Sequence, residues 1–466
     1  MLWISVALGL AGGLLYVLTW RLRIAAWVAL MPLAAVAWLA APAAAAAAGL
    51  VFGAIAAMPG LWGRVPFNRR FERITMAADA ALSAAVLAAA AWAWPARTPA
   101  WGLVVFPAAM LAVTGLPERS AGRLANGVLT IAQRYLTLVH VARLGHDQAV
   151  TALLAVWSAL PVVLFAHWPP AAGTIASCAV AGVAVAAGLA CGRLSLRRAI
   201  RAADAASQTR VAAVATDLDV ASQTPGQDAR GRLAQVIDAY EPLVGRAMER
   251  GARVVVLPEN AAWAVADGER AAWLDTLSRW ARQGVATVVA GLFDETAGRN
   301  QVAVIGPDGR LLASYDKRHP FGAGESFSRG AEPPAAITDP VRLSAAICYD
   351  LDFNDLVQPV RRHGGILAAP TNDWAEYASF HRQAAVWAPV LTATTLVRAA
   401  SHGISAIIDP AGRTLAEAST FDGPVVLVAD VPTGLAVLAE QPGQTGVTLH
   451  SRCLPGRRSP EMPTLP

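Results

Sequence analysis

Charge is scarce in this chain: 15% of its 466 residues are charged against 55% hydrophobic. That balance excludes a disordered or purely solvated protein. Acids are nearly missing from the first 200 residues, which hold four (Glu72, Asp79, Glu118, Asp147) against 14 arginines. Residues 201–466 reverse the sign, with 29 acids against 24 cations, so the net +5 averages a basic half and a mildly acidic half. The arginines fall in short clusters between apolar runs and not along one basic face, which argues against nucleic acid as a partner. Cysteine is sparse, at 178, 191, 348 and 453, and the spacing fits neither a disulfide framework nor a zinc pattern. HExxH, G-x-S-x-G and phosphate-loop patterns are all absent, so no metal or nucleotide cofactor is expected.

Lysine is the rarest cation. Of 38 basic residues a single one, Lys317, is lysine. The arginine bias itself is explained by a coding preference. The exception carries information, because an amine is a compact charge that a planar guanidinium does not imitate.

A helix needs about 20 apolar residues to cross the hydrocarbon core. Seven candidate runs precede residue 195, at roughly 2–20, 24–41, 43–59, 76–95, 100–116, 149–168 and 172–192. Pro42 alone separates the second from the third, and the fifth is short and contains Pro107, so five to seven spans are expected in a transmembrane region over 1–200. The polar stretch 118–148, with apolar residues at helical spacing, reads as an interfacial helix or a long loop. All but one of the 14 arginines, Arg97 being the exception, lie in the loops of one side. The positive-inside rule makes that side cytoplasmic and places the following domain there too.

From residue 211 the pattern becomes alternating strands and helices. Val211–Ala215, Val254–Leu257, Val285–Leu292, Val302–Ile305, Leu343–Ile347, Ile366–Ala369, Ile404–Ile408 and Val425–Val428 have strand length, with helical periodicity at 233–248 and 271–282. Gly-Pro-Asp-Gly (306–309) and Asp-Pro-Ala-Gly (409–412) read as hairpin turns. Strands buried on both faces with interleaved helices indicate a layered α/β domain over 210–434. The Pro, Gly and Arg-rich tail 435–466 is expected to be disordered.

Three polar residues sit at ends of apolar strands, where such sheets present reactive groups. Arg253-Val-Val-Val-Leu-Pro-Glu259 delivers a carboxylate, Tyr315-Asp-Lys317 the lone lysine, and Leu343-Ser-Ala-Ala-Ile-Cys348-Tyr349-Asp350 a thiol. A Glu, a Lys and a Cys so placed supply a base, a charge stabiliser and a nucleophile for acyl transfer. Singly each has a bland alternative: a core thiol, a cap after a strand, a surface cation. The combination favours chemistry.

These residues resemble the nitrilase, or carbon–nitrogen hydrolase, superfamily over about 210–434, through Leu-Pro-Glu259, Tyr-Asp-Lys317 and Ile-Cys348-Tyr-Asp in family order. The polytopic half, with Thr371-Asn-Asp-Trp374, His381, Arg398 and Gly403-Ile-Ser-Ala-Ile-Ile408, looks most like the apolipoprotein N-acyltransferase branch. The resemblance implies a polytopic α-helical membrane region followed by an αββα sandwich. It also implies a Glu259-Lys317-Cys348 site, with Glu325 as a second carboxylate that positions the first three and with Tyr349 and Asp350 in support. The chain departs from that branch at Asp350, where a Glu is usual, and at Ala388-Pro-Val-Leu391, which replaces an Arg-Ala-x-Glu segment.

In the mechanism so implied, Glu259 takes the Cys348 proton and the thiolate attacks a carbonyl. The Lys317 ammonium and the Tyr349 backbone N–H hold the oxyanion. The expected partners are a phospholipid acyl donor and a lipoprotein amino group, in the inner membrane of a bacterium. That acceptor requires the domain to face the periplasm, against the arginine distribution. A membrane-anchored amidase acting on a small amide is the rival reading, and a non-catalytic membrane scaffold the third.

Overall fold

A computed structural model describes residues 1–19, 23–56, 69–94, 98–126, 136–166, 168–218, 229–264, 267–321, 325 and 327–433. The expected tail 435–466 lies outside the described residues. The N-terminal half is helical: α1 (Leu2–Leu18), α2 (Met31–Leu39), α3 (Pro42–Ala56), α4 (Arg69–Ala93), α5 (Gly102–Asn126), α6 (Leu136–Val141), α7 (His146–Phe165) and α8 (Ala172–Ala205). Each of the seven apolar runs contains a helix among the described residues, the second only from Met31 after a short 3-10 segment, Arg23–Trp27. Among the described residues three segments, Pro99–Leu116, His146–Phe165 and Ala172–Ala205, are long and apolar enough to cross a membrane, and four are shorter: Leu2–Leu18, Ile24–Leu39, Pro42–Ala56 and Ala77–Ala93.

Pro42 does separate two helices. Ala40, two residues before it, is extended at φ −98° and ψ 147°, and proline suits the first position of the next helix because its missing N–H would have no partner there. Small residues then let the helices close up: a Cβ on Gly9 would sit 2.4 Å from the Ala48 carbonyl, and one on Gly49 equally near that of Ser83. The stretch read as an interfacial helix or loop is helical at both described ends, in α5 up to Asn126 and in α6 from Leu136.

The C-terminal half contains β1 (Ser207–Ala215), α9 (Ala229–Glu249), β2 (Val254–Val256), β3 (Ala262–Ala264), α10 (Asp267–Gly284), β4 (Thr287–Asp294), β5 (Arg299–Ile305) and β6 (Leu311–Asp316). There follow β7 (Ala335–Ile337), β8 (Leu343–Ala345), α11 (Val357–His363), β9 (Ile366–Asn372), α12 (Ala375–Ala384), α13 (Trp387–Thr392), β10 (Thr395–Ser401), β11 (Ile404–Ile408), β12 (Thr414–Ser419) and β13 (Val425–Thr433). The strands make two sheets, ordered β13-β1-β2-β4-β5-β6, with β3 beside β4, and β12-β11-β10-β9-β8-β7. Alternation along β1 shows how they stack. Val211 and Ala213 point into a core shared with Ile347, Ala368, Val397 and Ile407 of the other sheet, whereas Ala212 and Val214 meet α9 and α10 through Val236, Leu243 and Trp280. The second sheet covers its outer face with Leu356, Val360 and Ala388. The layers are therefore helix, sheet, sheet, helix.

All eight anticipated strands are present, and both turns join antiparallel pairs, β5–β6 and β11–β12. β10 was not anticipated. Its sequence, Thr-Leu-Val-Arg398-Ala-Ala-Ser, carries an arginine that is fully buried, and a charge in mid-strand breaks the apolar pattern.

The two halves share a core. Val357, Trp387, Val390 and Leu391 of the α/β half pack in the helical cluster with Leu138, Val139 and Val150. Arg143 Nε donates to the Val390 carbonyl at 2.9 Å. His140 Nε2 lies 3.1 Å from the Ala411 carbonyl and must donate to it, leaving Nδ1 to accept from Ser195 Oγ at 3.0 Å. In the apolar Ala388-Pro-Val-Leu391 segment Ala388 thus faces the second sheet and Val390 and Leu391 face the helices, which accounts for its lack of charge.

Candidate active site

Four elements converge at one end of the paired sheets. β2 runs on through Leu257-Pro258 to Glu259, which is 2% exposed. β6 ends beside Lys317, whose backbone N–H bonds the Asn300 carbonyl at 2.8 Å. β8 runs on through Ala346 and Ile347 to a tight helical turn, Cys348–Asp352. β9 ends at Asn372. Cys348 has φ +47°, a left-handed conformation uncommon for a side chain with a Cβ. Such strain persists where the surroundings over-determine it, and it turns the thiol out of the strand direction.

The lone lysine is completely buried. Its Nζ donates to Glu259 Oε1 at 2.7 Å and to both Glu325 oxygens at 2.9 Å. Burial alone pulls its pKa down, but the neighbouring Glu259, Cys348 and Glu325 more than reverse this, and the net direction is upward. Lys317 is therefore a fixed ammonium and not a lowered-pKa amine. Glu259 also accepts from Asn300 Nδ2 at 2.7 Å and, on Oε2, from the Asn372 N–H at 3.0 Å. Glu325 Oε2 accepts the Phe321 N–H at 2.8 Å, and burial raises its pKa against the pull of Lys317.

Cys348 is buried, and its Sγ lies 3.7 Å from the Asn372 carbonyl. Asn372 thus links Cys348 and Glu259: its N–H binds the Glu259 carboxylate and its C=O receives the thiol. Burial first, and then the Glu259 carboxylate, push the thiol pKa well above its ordinary value, while Lys317 pulls the other way. The sulfur is therefore held as a thiol and not as a thiolate.

The supporting residues divide. Tyr349 packs its ring against Phe321 and Phe353, with centroids 4.9 and 5.1 Å away. Asp350 does not join the Lys317 hydrogen bonds. Its oxygens accept from Tyr315 Oη at 2.9 Å, the His319 N–H at 2.8 Å and the Ile347 N–H at 3.2 Å, pinning the Cys348 turn to the end of β6. Burial pushes its pKa up to about 7.

Sequence reasoning missed Asn300. Its signal was the polar Arg299-Asn-Gln opening of an otherwise apolar strand. It also gave no site role to Asp373 and His381, although one donor atom from each lies within 4.8 Å of the other and of Cys348 Sγ. A metal fits this trio poorly. Asp373 Oδ1 holds His381 Nδ1 and Oδ2 holds Arg398 Nη2, each at 2.6 Å, and the guanidinium alongside opposes a cation.

Residues 210–440 match the carbon–nitrogen hydrolase family. They are a carbon–nitrogen hydrolase domain. Similar proteins include the deaminated glutathione amidase of Synechocystis sp., 29% identical over 232 residues, or 42% of this chain and 85% of the relative. The apolipoprotein N-acyltransferase of Rhodopseudomonas palustris is 31% identical over 148 residues, 26% of this chain and 28% of the relative. Among solved structures, an amidase from Nesterenkonia sp. is 24% identical with a TM-score of 0.42, covering 49% of this chain and 91% of that one.

Proposed function

We propose that this chain is a membrane-bound thiol acyltransferase of the apolipoprotein N-acyltransferase type, with Cys348 as nucleophile, Glu259 as base and Lys317 as oxyanion holder. The observation that carries this reading is the seat of the catalytic turn: α5 packs against both the Cys348–Asp352 turn and α12. An apolar path runs alongside. Phe321, Trp374, Tyr377 and Phe380 form one aromatic cluster next to Tyr349, and Phe380 also packs on the helical core. Acyl chains held at the depth of the helices would meet the thiol through apolar surface.

In the first half-reaction Glu259 takes the Cys348 proton and a carbon–sulfur bond forms at the ester carbonyl, whose oxygen becomes an oxyanion beside Lys317. Collapse expels the lysophospholipid alkoxide, which regains the proton from Glu259. An acceptor amine then attacks the thioester, a carbon–nitrogen bond replaces the carbon–sulfur bond, and the proton returns to sulfur through Glu259. Glu325 orients Lys317. An acceptor on a lipoprotein requires the domain to face the periplasm.

A membrane-anchored amidase is the second reading. It is favoured by the Synechocystis amidase, which this chain matches over 85% of that relative's length. Full-length protein in spheroplasts, given a phospholipid with a labelled acyl chain, decides between them. The thioester reading expects a labelled acyl-enzyme on the wild type, none on Cys348→Ser, and discharge by a membrane-impermeant amine. Label on Cys348→Ser would overturn the assignment of the nucleophile. A wild type that leaves phospholipid unlabelled while hydrolysing a short amide would replace the transferase with the amidase.

A further inference from the structure

Cys348 lies between two buried charge clusters, and the reaction above uses one of them. The other is built on His381, which is buried on α12. Its Nδ1 is 2.6 Å from Asp373 Oδ1, at the end of β9. Its Nε2 is 3.5 Å from Asp352 Oδ2, the last residue of the Cys348 turn. Neither of those two facing atoms has a hydrogen-bond partner, so their approach is an ion-pair contact and not a hydrogen bond. Arg398 Nη2 also lies 3.2 Å from Nδ1, but the nearer Asp373 carboxylate at 2.6 Å calls for a proton there, and the Asp352 carboxylate favours one on Nε2.

We propose that His381, as an imidazolium strung between Asp373 and Asp352, is a positioning residue that fixes the turn carrying Cys348 and so aims its thiol at Glu259 and Lys317. This rests on Cys348 being the nucleophile. The geometry assigns each end of the strut. Asp373 is immobilised by Arg398 Nη2 at 2.6 Å and by its own N–H to the Ser401 carbonyl at 3.0 Å. A Cβ at Gly403 would fall 2.4 Å from its Oδ2, so the backbone of that loop closes over it. Asp352, by contrast, belongs to the strained turn, whose opposite side Asp350 already ties to β6. His381 supplies the missing tie to β9 and α12. With both, the turn is held from two sides and the left-handed Cys348 backbone has no room to relax.

The charged groups around His381 are Asp373, Asp352, Arg398 and Cys348. On its own helix Arg382 pairs with Glu417. Burial opposes the His381 charge, but Asp373 foremost outweighs it and holds the pKa at about 9. A raised histidine pKa has a definite sign: the contribution to the fold is complete below the unfolded value near 6.5 and is lost as pH rises through about 9. Turnover that depends on the strut falls in the same window.

The test uses the full-length protein in detergent. His381→Gln should lower kcat by about 100-fold, the scale set by small misplacements of reacting groups, with KM nearly unchanged and the alkaline limb near pH 9 removed. Asp352→Asn removes one carboxylate from the imidazolium and should move that limb to lower pH. In the double variant the losses should not add, because the two residues form one strut. Should His381→Gln not fold, the limb shift in Asp352→Asn and the rate of Cys348 alkylation by iodoacetamide in that variant still decide. Additive losses, or an unmoved limb in Asp352→Asn, would overturn the proposal. Retained turnover in Cys348→Ser would instead sink the nucleophile assignment on which it rests.

Discussion

Two buried cation clusters flank one thiol, and they are charged differently. On the Glu259 side a single ammonium serves two carboxylates, so the group carries spare negative charge able to accept a proton. On the Asp373 side Arg398 and His381 together face Asp373 and Asp352, and the charges cancel. The first arrangement suits chemistry, since its protonation state can change as a reaction proceeds. The second suits holding, because a balanced buried group resists change. The choice of cation follows: lysine at the end of a strand places one point charge among several oxygens, whereas arginine in the middle of β10 uses its fork to bond Asp373 and the Ile404 carbonyl at once.

The two clusters therefore fail in different ways. Arg398→Met should leave Asp373 as a buried charge short of one partner and cost about 3–5 kcal/mol of stability, measured by denaturant unfolding. Folded protein at low temperature would retain part of its turnover. Lys317→Arg should do the reverse, folding with a modest overpacking loss yet turning over about 100-fold more slowly or worse, as when an oxyanion donor is removed. Wild-type kcat in that variant would erase the distinction between the two cations. The smallest effect belongs to Tyr315→Phe, which deletes one of three hydrogen bonds to Asp350. It should cost about 1.5 kcal/mol and leave kcat nearly unchanged, because the His319 and Ile347 amides still hold the carboxylate.

Much of the first cluster was legible because each member ends an apolar strand and the lysine has no rival in the chain. Glu325 was reached only through resemblance, since it stands in a loop with no periodicity around it. The second cluster was harder to read for a physical reason. Arg398 sits inside a strand, where its charge disguised the strand, and Asp373 and His381 are brought to Cys348 by a loop and a helix whose packing no local pattern encodes. The layered α/β fold was visible in the eight apolar runs. The docking of α13 onto the helical half was not, although its lack of charge now has an explanation.

α8 runs unbroken from Ala172 to Ala205, about 50 Å at 1.5 Å per residue, and β1 begins two residues later. Such a helix is both a ruler and a screw. One residue inserted near Arg197 would lift everything beyond it by about 1.5 Å and rotate it by about 100°, pulling Ala411 off His140 and Val390 off Arg143. Natural variation in length can therefore be absorbed in the loops of the helical half but not in this shaft, whose phase determines which way the thiol faces the remaining helices.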